Sequence, residues 1–93
     1  MRFEWDAEKA AANWAKHGVA FEEVLGVFGD AFEITIADPT HPHGEARFVS
    51  IGRTEAGRLF VVAYVERGDV IRIVSARQAT PKERRHYEST ERS

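Results

Sequence analysis

Two arginines lie in one strand-like segment, Val70 to Arg77, and Arg67 closes the apolar run before it. A guanidinium carries a permanent charge and five N–H donors, and it can bind two phosphate oxygens at once. Because arginine is rare in strands that have no ligand to bind, Arg67, Arg72 and Arg77 are candidate catalytic residues. Together with the Lys16–Val19 turn, they point to RNA rather than a metabolite. The alternative is that these arginines are solvated strand ends paired with nearby carboxylates.

Glu45 and Arg47 form a second candidate pair on a predicted strand. Residues two apart on a strand share one face, so the two side chains lie together. Arg47 can then bind the scissile phosphate through two hydrogen bonds, while Glu45 orients it or acts as a general base. An ion pair on a solvated sheet face is the competing interpretation.

The spacing of Arg72 and Arg77 conflicts with a shared site. An odd separation places two residues on opposite faces of a regular strand, so both serve one site only if a bulge intervenes or Arg77 lies beyond the strand. Arg77 also comes close to the start of the last predicted helix, where the helix dipole disfavours a cation. We expect a bound phosphate or a nearby carboxylate to offset that charge.

Lys16, His17 and Tyr87 are candidate RNA-binding residues. Lys16 can contact a phosphate, and an imidazole such as that of His17 can donate or accept a proton near neutral pH. Both residue types are also common at a helix C-terminus, and for His17 this structural role is the simpler interpretation. Tyr87 can stack on a base or anchor its helix. Trp5 and Trp14 are predicted to lie in the core.

The sequence favours RNA chemistry without a metal ion. A general base assists attack of the 2′-hydroxyl on the adjacent phosphate, cations stabilise the phosphoryl oxygens, and an acid protonates the leaving oxygen. His41 and His43 lie two apart in a loop rich in proline, and no third ligand has a matching spacing. We therefore expect no metal and no cofactor.

Composition indicates one cytoplasmic domain that spans residues 1–93. The chain has no cysteine, no apolar run long enough to span a membrane and no signal-peptide pattern. Its net charge of −2 divides unevenly, with 3 basic and 8 acidic residues up to Gly44 against 10 basic and 7 acidic residues after it. Overall acidity argues against binding nucleic acid through bulk charge, whereas a local arginine cluster can still bind a few phosphates.

The predicted fold is α+β, with two N-terminal helices, a four-stranded antiparallel meander and a C-terminal helix. Met1–Trp5 is a short strand or an extended lead-in. Asp6 caps a helix over 7–17 that Gly18 ends, and a second helix spans about 21–28. Strands are predicted over 32–36, 47–52, 59–67 and 70–77, and Thr80–Glu83 is a capping box for the last helix. The two N-terminal helices are expected to cover one sheet face, and the other face is free to bind a ligand.

The chain resembles the BrnT family from Phe3 to Tyr87. The resemblance rests on Trp5-Asp6, Lys9, Asn13, Lys16-His17-Gly18-Val19, Glu45-x-Arg47, Gly52, Arg72-Ile-Val-Ser-Ala-Arg77, Glu83 and Tyr87. It implies a RelE-like fold and a type II toxin, that is, an endoribonuclease that inhibits translation. A BrnA-like antitoxin is the implied partner: it neutralises the toxin, carries a DNA-binding module and brings the complex to operator DNA.

A binding module without catalytic activity, or a degenerate toxin, is the alternative. The sequence contains no nucleophile triad and no glycine-rich phosphate loop, so it does not by itself require catalysis. The arrangement of the arginines distinguishes the two functions. Arginines that converge on a concave patch favour catalysis, whereas arginines that are spread apart and paired with carboxylates favour binding alone.

Overall fold

A computed structural model describes residues 1–38 and 46–92, which form a five-stranded mixed sheet with three helices. The strands are β1 (Arg2–Trp5), β2 (Ile34–Ala37), β3 (Ala46–Arg53), β4 (Leu59–Arg67) and β5 (Val70–Gln78). Helix α1 spans Ala7–His17, a 3₁₀ helix spans Phe21–Gly29 and helix α2 spans Pro81–Glu91. The α+β class is confirmed, but the sheet and one helix differ from the prediction.

The four-stranded meander is incomplete because the N-terminal segment adds a fifth strand. The strand order is β1-β5-β4-β3-β2, and β1 pairs parallel to β5 while the other pairs are antiparallel. Arg2 lies opposite Val70, and Trp5 lies opposite Ile73. The sequence alone does not decide whether Met1–Trp5 is a strand or an extended lead-in, because the strand that pairs with it lies at the other end of the chain.

Local signals set the helix ends much as predicted. The Asp6 carboxylate accepts hydrogen bonds from the backbone N–H groups of Glu8 and Lys9, at 2.8 and 3.2 Å, which caps α1. Gly18 ends that helix with a φ of 67°, a left-handed conformation that glycine adopts without a Cβ clash. The second helix is of the 3₁₀ type, which the spacing of its apolar residues did not predict.

The core lies between the sheet and the 3₁₀ helix. Val24 and Val27 are fully buried on the 3₁₀ helix, and they face sheet residues such as Val62 and Ile73. At Gly52 the 3₁₀ helix comes close to the backbone of β3, because a Cβ there would lie 2.7 Å from Val27 Cγ1. The sheet face opposite this core is therefore the one left for a site.

The two tryptophans differ in burial. The ring of Trp5 packs edge-on against Phe21 with the ring centroids 5.8 Å apart, as expected for the core. Trp14 is 59% exposed, so its predicted core position is wrong. Its neighbour Asn13 faces β5, and the next residue along an α-helix is rotated by about 100°, away from the sheet.

No helix within the described residues is both long enough and apolar enough to cross a membrane.

Candidate functional site

A β-bulge in β5 changes which face each arginine occupies. Ser75 pairs with Ala63, but Tyr64 pairs with Ile73, so Val74 is an extra residue without an opposite partner in β4. This extra residue restores the alternation, so Arg72 and Arg77 point to the same face despite their odd separation. A bulge was one of the two conditions under which Arg72 and Arg77 were predicted to serve one site.

All four predicted arginines of the sheet lie on one face, which we call the arginine face. Arg72 lies opposite Val65 in β4, and Arg47 lies opposite the same residue from β3. Arg67 follows Val65 by two residues, and Arg77 lies opposite Val61. Val61 and Val65 are four positions apart on β4, about 13 Å along the strand. The arginines therefore form two groups, with Arg77 apart from the other three.

Carboxylates from neighbouring strands and loops contact the first group. Arg72 Nη1 donates a hydrogen bond of 2.7 Å to Glu4 on β1, which lies beside it in the sheet. Arg47 Nε lies 3.2 Å from Asp38 Oδ2. Arg67 is exposed where β4 ends. Glu45, the proposed base or orienting group, lies outside the described residues, so its pairing with Arg47 stays a prediction.

Arg77 lies in a cavity together with the end of α1. The cavity has a volume of about 320 Å³, and its apolar floor comes from Val49, Val61 and Ala63. Lys16, His17, Ser75 and Arg77 supply its polar lining. The structure thus brings together three of the predicted site residues, Lys16, His17 and Arg77, around one concave patch.

Asn13 holds the end of α1 against this patch. Its side-chain nitrogen donates to the carbonyl oxygens of Val19 and Ala76, at 2.9 and 2.8 Å, and its oxygen accepts from the Ala76 N–H at 2.9 Å. Strand β1 pairs with β5 only as far as Ile73, so at Ala76 the edge of β5 has no partner strand. The Asn13 side chain binds the N–H and the carbonyl of Ala76 there, in place of a neighbouring strand. Since Ala76 precedes Arg77, the Asn13 side chain sets the position of Lys16 and His17 relative to Arg77.

Glu83 binds the Arg77 guanidinium through two hydrogen bonds, of 2.7 and 2.9 Å. Its carboxylate also accepts the Thr80 N–H at 2.8 Å, which completes the predicted capping box of α2. The hydrogen bonds from Arg77 are the main cause that lowers the pKa of Glu83 to about 2, and they raise the pKa of Arg77. A carboxylate, rather than a bound phosphate, thus offsets the Arg77 charge beside the helix start.

Tyr87 is fully buried and has no ring face open to an RNA base. Its hydroxyl donates a hydrogen bond of 2.5 Å to Asp30, and the Arg53 guanidinium lies over its ring, 5.4 Å from the centroid. Burial first, and then the bond to Asp30, raises the pKa of Tyr87 to about 12. The structure therefore replaces the predicted base-stacking role with the alternative, an anchor that holds α2 to the rest of the fold.

Helix α2 covers one end of the arginine face, which was predicted to be free. Glu83 and His86 line an apolar cavity of about 210 Å³ together with sheet residues that include Ile34, Ile36 and Val49. Leu59, at the start of β4, is only 2% exposed. The open part of the face is therefore the part around Arg47, Arg67 and Arg72, together with the cavity at His17.

A cleft larger than these cavities lies away from these residues. It has a volume of about 620 Å³ and separates the 3₁₀ helix from the β3–β4 turn. Its lining includes Glu23, Asp30 and Glu55, and Glu23 forms an ion pair of 2.8 Å with Arg58. Its lining also includes Arg53 and Arg58, but three carboxylates outnumber these two cations, so the cleft is less suited to a phosphate group than the cavity at Arg77, whose lining has no carboxylate.

Comparison with known proteins gives the same assignment as the sequence motifs. The family model described as "Ribonuclease toxin, BrnT, of type II toxin-antitoxin system" matches residues 5–83. The chain belongs to the BrnT family. A crystal structure of the ribonuclease toxin BrnT from Brucella abortus is similar, with 26% sequence identity and a TM-score of 0.58. The similarity covers 86% of this chain and 97% of the Brucella chain. A comparison with curated proteins finds no significant match.

The BrnT match includes the patch at the end of α1 and the arginine face. Residues 5–83 contain every predicted site residue except Tyr87, which lies beyond the matched range and is buried in the structure. Family membership makes this chain one of the ribonuclease toxins of type II toxin–antitoxin systems and implies an antitoxin protein as its partner. Which residues carry out the reaction stays a prediction.

Among the residues that the structure describes, no three His, Asp or Glu side chains lie close enough together to hold one ion. His41 and His43 lie outside the described residues. The expectation that the reaction uses no metal is therefore retained as a prediction.

Sequence reasoning missed two residues of the site. Ser75 lines the cavity beside His17 and Arg77, and its sequence signals were its place in the family motif and its position two residues before Arg77. Asn13 is part of the family motif, but its spacing alone indicates no role. A single asparagine on the sheet-facing side of a helix is a buried polar group, and buried polar groups need hydrogen-bond partners. This pattern was the sequence signal for a structural role of Asn13.

Proposed function

We propose that this BrnT chain is a metal-independent endoribonuclease that cleaves RNA on the arginine face and so inhibits translation in the cytoplasm. One observation carries the proposal: the bulge at Val74 and the Asn13 contacts bring Lys16, His17 and Arg77 around one cavity. A phosphate there would meet two cations and an imidazole, the groups that phosphodiester cleavage requires.

The proposed reaction is an internal transfer of the phosphoryl group. A base removes the proton of a 2′-hydroxyl, and the new bond from O2′ to phosphorus forms as the bond from phosphorus to O5′ breaks. An acid gives a proton to the leaving O5′. The products are a 2′,3′-cyclic phosphate and a free 5′-hydroxyl, and no water or metal ion is consumed. Negative charge on the two remaining phosphoryl oxygens is largest in the transition state, so fixed cations lower the barrier.

Each residue has a role in this proposal. Arg77 and Lys16 stabilise the phosphoryl oxygens, and His17 exchanges a proton with O2′ or O5′. Glu83 accepts from Nη1 and Nη2 of Arg77 and fixes the plane of the guanidinium, and Nη1 also donates to the Gln78 carbonyl at 3.3 Å. The Nε–H and the second hydrogen of Nη2 remain for a phosphate. Glu45 is the other candidate for the base.

The first group of arginines would bind the RNA on either side of the reacting phosphate. Arg47, Arg67 and Arg72 lie on the same face as Arg77, with Arg47 and Arg72 about 13 Å and Arg67 about 20 Å from it along the strand. They are proposed to hold adjacent phosphates and so to set the position of the strand. This division separates residues that change binding from residues that change the chemical step.

A binding module without catalytic activity is the second candidate, and the ion pairs favour it. Glu4 binds Arg72, Asp38 lies beside Arg47 and Glu83 binds Arg77. Paired arginines are partly neutralised, and a ligand must compete with the carboxylates. The concave cavity at His17, whose lining contains no carboxylate, supports catalysis instead.

The antitoxin is proposed to be a BrnA-like protein that binds at the β2 edge of the sheet. Strand β2 pairs only with β3 within the described residues, so its outer backbone groups can accept another strand. Ile36 on β2 is 59% exposed and lines the apolar cavity beside α2. An apolar segment there would also cover part of the arginine face. Operator DNA would be bound through the antitoxin alone.

Induction of the chain in a bacterial host tests this function. We expect growth arrest and progressive loss of total RNA with the wild type. His17→Ala and Arg47→Ala should each remove the arrest, whereas Arg84→Ala, on the exposed side of α2, should not. Equal amounts of folded protein must be shown for every variant by its circular dichroism spectrum.

The two candidate functions give different outcomes. Arrest and RNA loss that disappear in His17→Ala support catalysis in the cavity. Soluble wild-type protein that binds RNA without arresting growth supports the binding module. Unchanged toxicity of both well-expressed variants would contradict the proposed site.

A further inference from the structure

A second cavity lies along the outer edge of β5, between that edge and α1. It has a volume of about 300 Å³, and its lining includes Lys9, Lys16, His17 and Ser75. We call it the edge groove. Lys16, His17 and Ser75 also line the cavity of the arginine face, so the two cavities meet at these three residues.

The edge groove is positively charged in a protein whose net charge is −2. Neither the groove nor the adjoining cavity has a carboxylate in its lining, whereas the cleft beside the 3₁₀ helix has three. Lys9 and Lys16 are exposed, and within residues 1–38 and 46–92 no ion pair holds either of them. The two ammonium groups are therefore available to an anion, unlike the guanidinium groups of Arg72 and Arg77.

Helix geometry aligns the two lysines along the groove. Lys9 and Lys16 are seven residues apart, which is two turns of α1 and about 10 Å along its axis. Asn13 lies between them on the same side of the helix, and its hydrogen bonds to Ala76 fix that side against β5. The groove thus carries two lysines on a helix that is fixed against β5, and it starts at the proposed reaction centre and leads away from it.

We infer that the edge groove binds the RNA strand beyond the cleavage site, with the Lys9 ammonium group on a phosphate that does not react. This inference rests on the proposed function, because the groove begins at His17. Apart from His17, no aromatic side chain lines it, so it contacts the sugar–phosphate backbone rather than the bases. The bound ligand is a single strand, and binding there does not depend on its sequence.

Binding of an uncleavable strand tests the groove separately from the chemistry. The probe is a mixed-sequence oligonucleotide with 2′-O-methyl riboses, which lack the attacking hydroxyl, and it is long enough to cover both cavities. Its affinity is measured over a range of salt concentrations for the wild type, Lys9→Ala and Lys82→Ala. Lys82 is an exposed lysine on α2 and provides the matched control.

Loss of one phosphate contact should weaken binding by Lys9→Ala about 3- to 10-fold and reduce the slope of log affinity against log salt by about 0.7. Lys82→Ala should match the wild type. Cleavage of a dinucleotide, which is too short to reach Lys9, should proceed at the wild-type rate in Lys9→Ala. Cleavage of the unmodified long strand should require a higher concentration for half-maximal rate.

Other outcomes overturn the inference in distinguishable ways. If Lys9→Ala binds the oligonucleotide with wild-type affinity and salt dependence and still cleaves RNA, the groove does not bind the strand. The proposed function would then stand without it. Slower dinucleotide cleavage by Lys9→Ala would place Lys9 in the reaction centre instead. Wild-type protein that neither binds nor cleaves RNA would contradict both proposals.

Discussion

The three hydrogen bonds of Asn13 make it the most informative single residue for stability. Its side chain is 6% exposed, and it contacts the carbonyl groups of Val19 and Ala76 and the N–H of Ala76. Asn13→Ala removes all three bonds and leaves the three backbone groups without their partner. Because each bond contributes about 1 kcal/mol, the free energy of unfolding should fall by about 3 kcal/mol.

Thermal unfolding followed by circular dichroism measures this loss. For a domain of this size, 1 kcal/mol corresponds to about 4–8 °C in Tm, so the Tm of Asn13→Ala should fall by about 12–24 °C. Gln78→Ala provides the control, because Gln78 is an exposed amide on the same strand and its removal should change the free energy of unfolding by less than about 0.5 kcal/mol.

A second substitution separates hydrogen bonding from side-chain volume. Asn13→Asp has almost the same shape and can still accept from the Ala76 N–H, but its carboxylate faces two carbonyl oxygens. At neutral pH it should destabilise the fold at least as much as alanine, and acidification should restore part of the loss. Loss of less than about 1 kcal/mol in Asn13→Ala, or no effect of pH on Asn13→Asp, would refute the reasoning.

Two further predictions concern α2. Glu83→Gln should destabilise the fold at neutral pH, since the pKa of Glu83 is lowered from 4.5 to about 2. The difference in pKa limits the loss in free energy of unfolding to about 3 kcal/mol. We expect a loss of about 1–2 kcal/mol, because solvent screens a carboxylate that is 30% exposed. A lowered pKa stabilises the folded state above pH 4.5, so urea unfolding should show the gap between wild type and variant closing as pH falls towards about 2; a gap independent of pH would argue against the pair with Arg77. Tyr87→Phe should cost about 1.5–3 kcal/mol by removing the hydrogen bond to the Asp30 carboxylate, measured by the same method. A stability unchanged by that substitution would show that the hydroxyl does not anchor α2.

Local sequence signals predicted the parts of the fold that depend on neighbouring residues. The Asp6 cap, the Gly18 helix end and the capping box of Thr80 and Glu83 all act within a few residues, and each is present. The antiparallel strands were found from their alternation and turns. The parallel pairing of β1 with β5 was not, since it joins residues 2–5 to residues 70–73.

The candidate site depended on features that composition and spacing do not contain. Val74 looks like an ordinary β-branched strand residue, so the bulge that brings Arg72 and Arg77 to one face was only a stated condition. Tyr87 was ambiguous because an amphipathic ring can be buried or exposed, and its partner Asp30 is 57 residues away. The motifs located the residues, whereas the tertiary contacts decided which of them meet.

Cleavage of RNA by the purified chain in the presence of a chelator tests the central claim most directly. The account predicts cleavage without divalent metal, products with 2′,3′-cyclic phosphate and 5′-hydroxyl ends, and a large loss of rate in His17→Ala. Cleavage that requires a metal ion, products with 5′-phosphate ends, or an unchanged rate in His17→Ala would contradict it.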